Sequence, residues 1–201
     1  VSPLGLDVPT LWQNLVSGKS GVARITRFDA TEFETQIAAE VKQFDPSQYL
    51  DPKEARRMDR FAQFAVVAAK EAVADAGLDL GSGNPFETGA IVSAGFGGAE
   101  TLAEGFEIFY QRGPRRIRPL QFPMMISNMA AAQVAIELGV KGPNFSIASA
   151  CASSAHAIGE AVEIIKRGDA KVMLAGGTEA GITPISVAAL NAMRALSTRN
   201  D

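Results

Sequence analysis

The sequence predicts an α/β fold with a largely parallel sheet held between helix layers. Helix-like and strand-like segments alternate along the chain. The strand-like runs 89–94 and 171–175 are short and largely apolar, the pattern of strands covered on both faces. Glycines close several helices and follow the first of these runs, as chain reversals require.

In chain order, Asp7-Val8-Pro9-Thr10-Leu11-Trp12 opens a short helix with Asp7 as N-cap and Gly18 as its end. Residues 37–44 form a strand. Asp51-Pro52 starts one long helix, with Pro at a first helical position. Met58, Phe61, Ala65, Ala69, Ala72 and Ala76 recur along it at steps of three or four. From Phe61 to Ala69 it is apolar nearly all round, which predicts deep burial, and Gly77 ends it. The strand at 89–94 closes on Gly95, Gly97 and Gly98, and a helix follows over 99–111. Residues 114–123 connect it to a helix rich in Ala and Met within 123–139. A strand is expected at 144–149, a helix at 152–167 ended by Gly168, a buried strand at 171–175 and a final helix at 184–195.

Composition narrows the function. With 201 residues, 47% of them hydrophobic, the chain can build a sizeable core without disulfides or metal. Its net charge of −3 argues against general binding to nucleic acid or to anionic membranes. No run approaches the roughly 18 apolar residues of a membrane span, and no signal peptide is visible at the N-terminus. One Cys and one His exclude an internal disulfide and leave no Cys/His zinc site, so a reducing, cytoplasmic setting is expected. Gly95, Gly97 and Gly98 do not complete a dinucleotide fingerprint, and no cofactor is expected. The chain starts at Val1 and stops in the polar run 197–201, which leads us to expect part of a longer protein.

The chemistry concentrates around Cys151. A lone Cys is most often a small buried hydrophobe. Cys151, however, falls where a strand gives way to a helix, and residues 148–155 are all Ala, Ser or Cys, which suits a tight turn. A thiol there feels the positive end of the helix dipole, which favours the thiolate. This is the logic of a nucleophile elbow without its usual glycines. His156 lies five residues on, about 140° around an ideal helix. It therefore diverges from Cys151 and reads as a structural histidine, which leaves the nucleophile without a base.

The segments Ser149-Ala150-Cys151-Ala152-Ser153-Ser154-Ala155-His156, Gly168-Asp169-Ala170 through Gly176-Gly177-Thr178-Glu179-Ala180, and Ala195-Leu196-Ser197-Thr198-Arg199-Asn200-Asp201 resemble the β-ketoacyl-acyl-carrier-protein synthases, particularly type II. The resemblance spans essentially the whole chain. It implies a thiolase-like layered α-β-α-β-α fold, of which this chain is the N-terminal half only, with the first strand missing. It further implies a homodimer and a decarboxylative Claisen condensation, with acyl carrier protein delivering acyl and malonyl groups. Cys151 becomes the acylated nucleophile, its own backbone N–H one donor of the oxyanion hole. The family's two catalytic histidines, a lysine and a glycine-flanked phenylalanine come from the C-terminal half, and His156 matches none of them. By the same resemblance Leu102 is the apolar gate of the acyl pocket, Leu190 lies at a pocket position, and Arg56, Arg57, Arg115 and Arg116 lie near the carrier-protein dock. Without the resemblance, those arginines read as a solvated face and the leucines as core packing. The alternatives are a polyketide ketosynthase, a noncatalytic chain-length partner of the same fold (which usually lacks the Cys) and a binding module that keeps its Cys for packing.

Overall fold

A computed structural model describes residues 1–201. The chain divides into two compact units, residues 1–45 with 181–201, and residues 46–180.

The first unit opens with α1 (Val8–Val16), capped as expected by Asp7, which accepts the Thr10 N–H at 2.7 Å and its hydroxyl at 3.0 Å. A hairpin-like pair follows, β1 (Val22–Arg24) antiparallel to β2 (Ile37–Ala39). The strand expected over 37–44 thus ends at Ala39. Glu40 turns inward, where it is 3% exposed. It accepts the Thr26 N–H at 2.9 Å, the Thr26 hydroxyl at 2.6 Å and the Arg27 N–H at 3.1 Å. Burial alone would raise the Glu40 pKa. The Thr26 and Arg27 bonds, helped by Lys42, outweigh it and hold the carboxyl below its ordinary value.

In the second unit the single long helix expected from residue 51 is two helices, α2 (Pro52–Ala55) and α3 (Arg60–Asp75). Asp59 explains the break. One of its oxygens accepts the Phe61 N–H at 3.2 Å and caps α3; the other accepts the Thr101 N–H at 2.9 Å. An Asp that satisfies two orphan donors at helix starts gives more than one continuing a helix, for which its propensity is poor. Gln63 spans the break, donating to the carbonyls of Ala55 and Met58. The stretch from Phe61 to Ala69 is buried as expected, apart from Gln63 and the exposed Ala68.

The sheet of this unit is parallel throughout. β3 (Thr88–Ser93) is central, flanked by β4 (Asn144–Phe145) and β5 (Val172–Gly177), with Ala90 opposite both Asn144 and Leu174. Every residue of β3 is buried, whereas of the strand expected to be buried at 171–175 only Leu174 is, because β5 is an edge strand with β3 on one side alone. The strand expected over 144–149 pairs for only two residues. Beyond them the Ile147 N–H leaves the ladder and donates to the Ser93 hydroxyl at 3.0 Å. α4 (Ala99–Arg112) follows β3. The helix expected within 123–139 is again two, α5 (Gln121–Met125) and α6 (Met129–Leu138). It breaks where the Met125 carbonyl accepts the Gly98 N–H at 3.1 Å instead of continuing a helix. α6 packs on β3 and α3, while α7 (Ser153–Arg167) packs on β3 and β5. Ala157, Ala161 and Ile164 of α7 meet Ile91 and Ala170 in one buried cluster. The chain then closes the first unit with α8 (Pro184–Ala192), whose Val187 packs with Ile25 and Ala30. Asn200 and Thr35 tie the last residues to the segment before β2.

Candidate active site

The three parallel strands send their carboxyl ends to one side of the second unit, the side on which open α/β sheets carry their sites. Between β4 and α7 the chain makes a sharp reversal. Ser149 adopts φ −145° and ψ 41°, and Ala150–Ala152 form a single 3₁₀ turn before α7 begins. Ala150 has φ +51°, a left-handed conformation that costs a non-glycine residue about 1–2 kcal/mol. Ser153, 2% exposed, holds the reversal together. Its hydroxyl accepts the Ser149 N–H at 2.9 Å and donates to the Ala150 carbonyl at 2.7 Å. Cys151 stands exposed on this turn, as an elbow presents a nucleophile. Its N–H lies in the 3₁₀ turn that leads into α7.

The elbow is walled by the chain leaving the other two strands. A Cβ at Gly177, the end of β5, would lie 2.5 Å from the Ser154 Cβ, so only glycine lets the strand approach the start of α7 this closely. Two residues later Glu179 reaches back to the glycine-rich loop after β3. Its carboxylate accepts the Phe96 N–H at 2.8 Å and the Gly97 N–H at 3.2 Å. Consecutive loop amides of this kind form a nest for an anion, and Glu179 fills it. Gly98, the N-cap of α4, offers that helix no side chain; Asp59 supplies the cap from α3.

His156 lies on the first turns of α7 with its Nδ1 2.6 Å from the Ser149 hydroxyl. It is thus hydrogen-bonded to the elbow's first residue. Leu102 lines an apolar cavity of about 310 Å³ together with Gly105, Phe106, Phe109, Ile117, Gln121 and Met125. Leu190 lies on α8 in the first unit and is exposed. Arg56 and Arg57 are exposed at the end of α2, Arg57 pairing with Glu54 at 3.0 Å. Arg115 and Arg116 are exposed on a 3₁₀ turn after α4. No group of three or more His, Cys, Asp and Glu side chains comes together to hold a metal ion.

Sequence reasoning overlooked Ser153, Asp59 and Glu179. Glu179 carried a usable signal, an acidic residue just beyond the end of a parallel strand where sites gather. Ser153 and Asp59 carried none, since their partners are fixed only by the folded loops.

The family model for the N-terminal domain of β-ketoacyl synthases matches residues 1–201. The chain is 46% identical over its full length to the 3-oxoacyl-(acyl-carrier-protein) synthase 2 of Staphylococcus aureus, covering 50% of that protein. Among solved structures, a β-ketoacyl synthase from Burkholderia phymatum superposes with a TM-score of 0.87 at 30% identity, over 100% of this chain and 50% of that one. A structure titled as the ishigamide ketosynthase/chain length factor superposes with a TM-score of 0.88 at 27% identity, over 98% and 49%. The chain therefore spans about half the length of the relatives it matches, and its fold is the N-terminal half of a thiolase-like ketosynthase fold.

Proposed function

The chain belongs to the β-ketoacyl synthase family, and from that premise we propose that it carries the nucleophile of a type II condensing enzyme of fatty-acid elongation. The observation that carries the reading is the exposed Cys151 on a strained, serine-pinned elbow at the carboxyl ends of three parallel strands. In the proposed reaction the Cys151 thiolate attacks the carbonyl carbon of an acyl thioester on acyl carrier protein. The oxyanion is held by the Cys151 N–H, and its collapse breaks the carrier's C–S bond, so that the carrier leaves as its thiolate while the enzyme thioester forms. Malonyl-carrier protein then loses CO₂. The carbanion left at its C2 attacks the Cys151 thioester, forming the new C–C bond and returning the thiolate.

Residues 1–201 are, in this proposal, the N-terminal half of the enzyme, and the acid–base groups belong to a C-terminal half. The outer face of α7 supports this. Ile158, Val162 and Ile165 sit at helical spacing about 100° around α7 from the buried Ala157, Ala161 and Ile164, and all three are exposed. An exposed apolar flank beside the buried stripe fits a helix that is to be covered by a further layer. Leu102 gates the acyl pocket, a role supported by its apolar cavity, with Leu190 as a further pocket residue. Arg56, Arg57, Arg115 and Arg116 dock the acidic carrier protein. The enzyme is a homodimer and works in the cytoplasm, where a reducing medium keeps Cys151 as a thiol. The presence of Cys151 speaks against a noncatalytic chain-length partner.

Intact-mass analysis of the full-length protein after treatment with cerulenin, a covalent ketosynthase inhibitor, tests the reading. We expect one adduct, on Cys151, absent from Cys151→Ala. No adduct on Cys151 overturns it.

A further inference from the structure

We propose that Glu179 is a positioning residue for the acylation of Cys151, setting the glycine loop 95–98 as a fixed wall beside the elbow; the proposal rests on the condensing-enzyme reading above. The loop leaves β3 and returns as α4, and its middle has no regular partner for its amides. Glu179, more than 80 residues further along the chain, takes two consecutive ones: Oε2 accepts from Phe96 at 2.8 Å and Oε1 from Gly97 at 3.2 Å. Such a bidentate grip fixes both the height and the tilt of the loop. Asp59 fixes the following turn through Thr101.

The grip reaches the nucleophile through Gly95. A Cβ there would lie 3.3 Å from the Ala150 carbonyl oxygen and 3.3 Å from Oε2 of Glu179. The loop backbone is thus clasped between the carboxylate and the residue just before Cys151. Moving the loop outward opens the space beside the elbow; moving it inward presses on Ala150, already held at positive φ. Glu179 stands on the chain segment leaving β5, locked in place by two contacts of its neighbour. The Thr178 N–H donates to the Ser93 carbonyl at 2.9 Å, and its hydroxyl to the Phe61 carbonyl at 2.7 Å. The carboxylate therefore has a rigid base from which to set the loop.

A wall matters for a large reactant and not for a small one. An acyl thioester must seat its carbonyl carbon against the Cys151 sulfur within a few tenths of an ångström. Iodoacetamide only has to reach an exposed thiol. In the full-length protein we would compare the parent, Glu179→Ala and Glu179→Gln by three measurements: acylation of Cys151 from octanoyl-acyl carrier protein, alkylation of Cys151 by iodoacetamide, and amide hydrogen exchange over residues 95–98. The expected result for Glu179→Ala is acylation at least tenfold slower, alkylation within about threefold of the parent and faster exchange at Phe96 and Gly97. Glu179→Gln, which keeps one acceptor oxygen, should fall between them. Acylation within twofold of the parent in both variants overturns the proposal. So does a parallel fall of acylation and alkylation together with a lowered Tm, which marks a purely structural role. If Glu179→Ala does not fold, Glu179→Gln carries the same comparison. If the parent itself takes no acyl group, the condensing reading fails; unchanged exchange over 95–98 in the variants would separately refute the grip of Glu179 on the loop.

Discussion

Glu40 in the first unit and Glu179 in the second use one device for different ends. Each sits just past a strand and collects the N–H groups of two consecutive residues in a distant loop. Glu40 is 3% exposed and also takes the Thr26 hydroxyl, whereas Glu179 stands exposed at the mouth of the Cys151 site. A buried carboxylate with three donors stabilises the fold, because removing it takes the partner from three donors at once. An exposed one contributes little stability, since water replaces it, and its value lies in where it holds the loop.

Paired substitutions put this contrast under the greatest load. Glu40→Ala should destabilise the first unit by on the order of 3 kcal/mol, read as a shift in the urea midpoint. Glu179→Ala should cost under about 1 kcal/mol in the same titration. Equal costs would erase the distinction.

Acid sharpens it further. The Glu40 pKa is lowered in the fold, the burial that would raise it being outweighed by the Thr26 and Arg27 bonds. The folded state therefore binds its proton less readily than the unfolded chain. Its contribution is complete above the unfolded glutamate value, about 4.3, and is lost as pH falls through the lowered folded value. Stability below about pH 4.3 should fall more steeply in the parent than in Glu40→Gln, which carries no proton-linked term. Identical slopes would show that Glu40 is not held in its charged form.

The smallest effect concerns charges that hold nothing inside the fold. Arg115→Glu with Arg116→Glu should leave the urea midpoint unchanged, both side chains being exposed. It should weaken carrier-protein binding by the full-length enzyme severalfold at low salt and less at high salt. Unchanged affinity at low salt would remove the dock from this turn.

The parts legible in the sequence are those whose cause is local. Asp7 caps the nine-residue α1, Pro52 starts α2, and the run from Thr88 to Ser93 is buried around its apolar centre Ala90-Ile91-Val92. The family resemblance was equally legible, since its motifs are contiguous. β1 left no signal, being three residues long with every position exposed, whereas β2 is the start of the strand expected over 37–44. The break before Asp59 and the end of the strand at Glu40 were hidden for another reason. Their competing partners, Thr101 and Thr26, lie 42 and 14 residues away.

The sequence by itself determined the α/β class, the helix starts at Asp7 and at Asp51-Pro52, and the buried strand at 89–94. Short-range propensity and hydrophobic period act within a few residues and need no folded context. Tertiary structure alone decided which polar side chains meet which orphan amides. That choice set Ala150 at positive φ, closed the Glu179 grip on the glycine loop and divided the long helix at Asp59. A buried or loop amide must find an acceptor, but only the packed chain determines which one is within 3 Å.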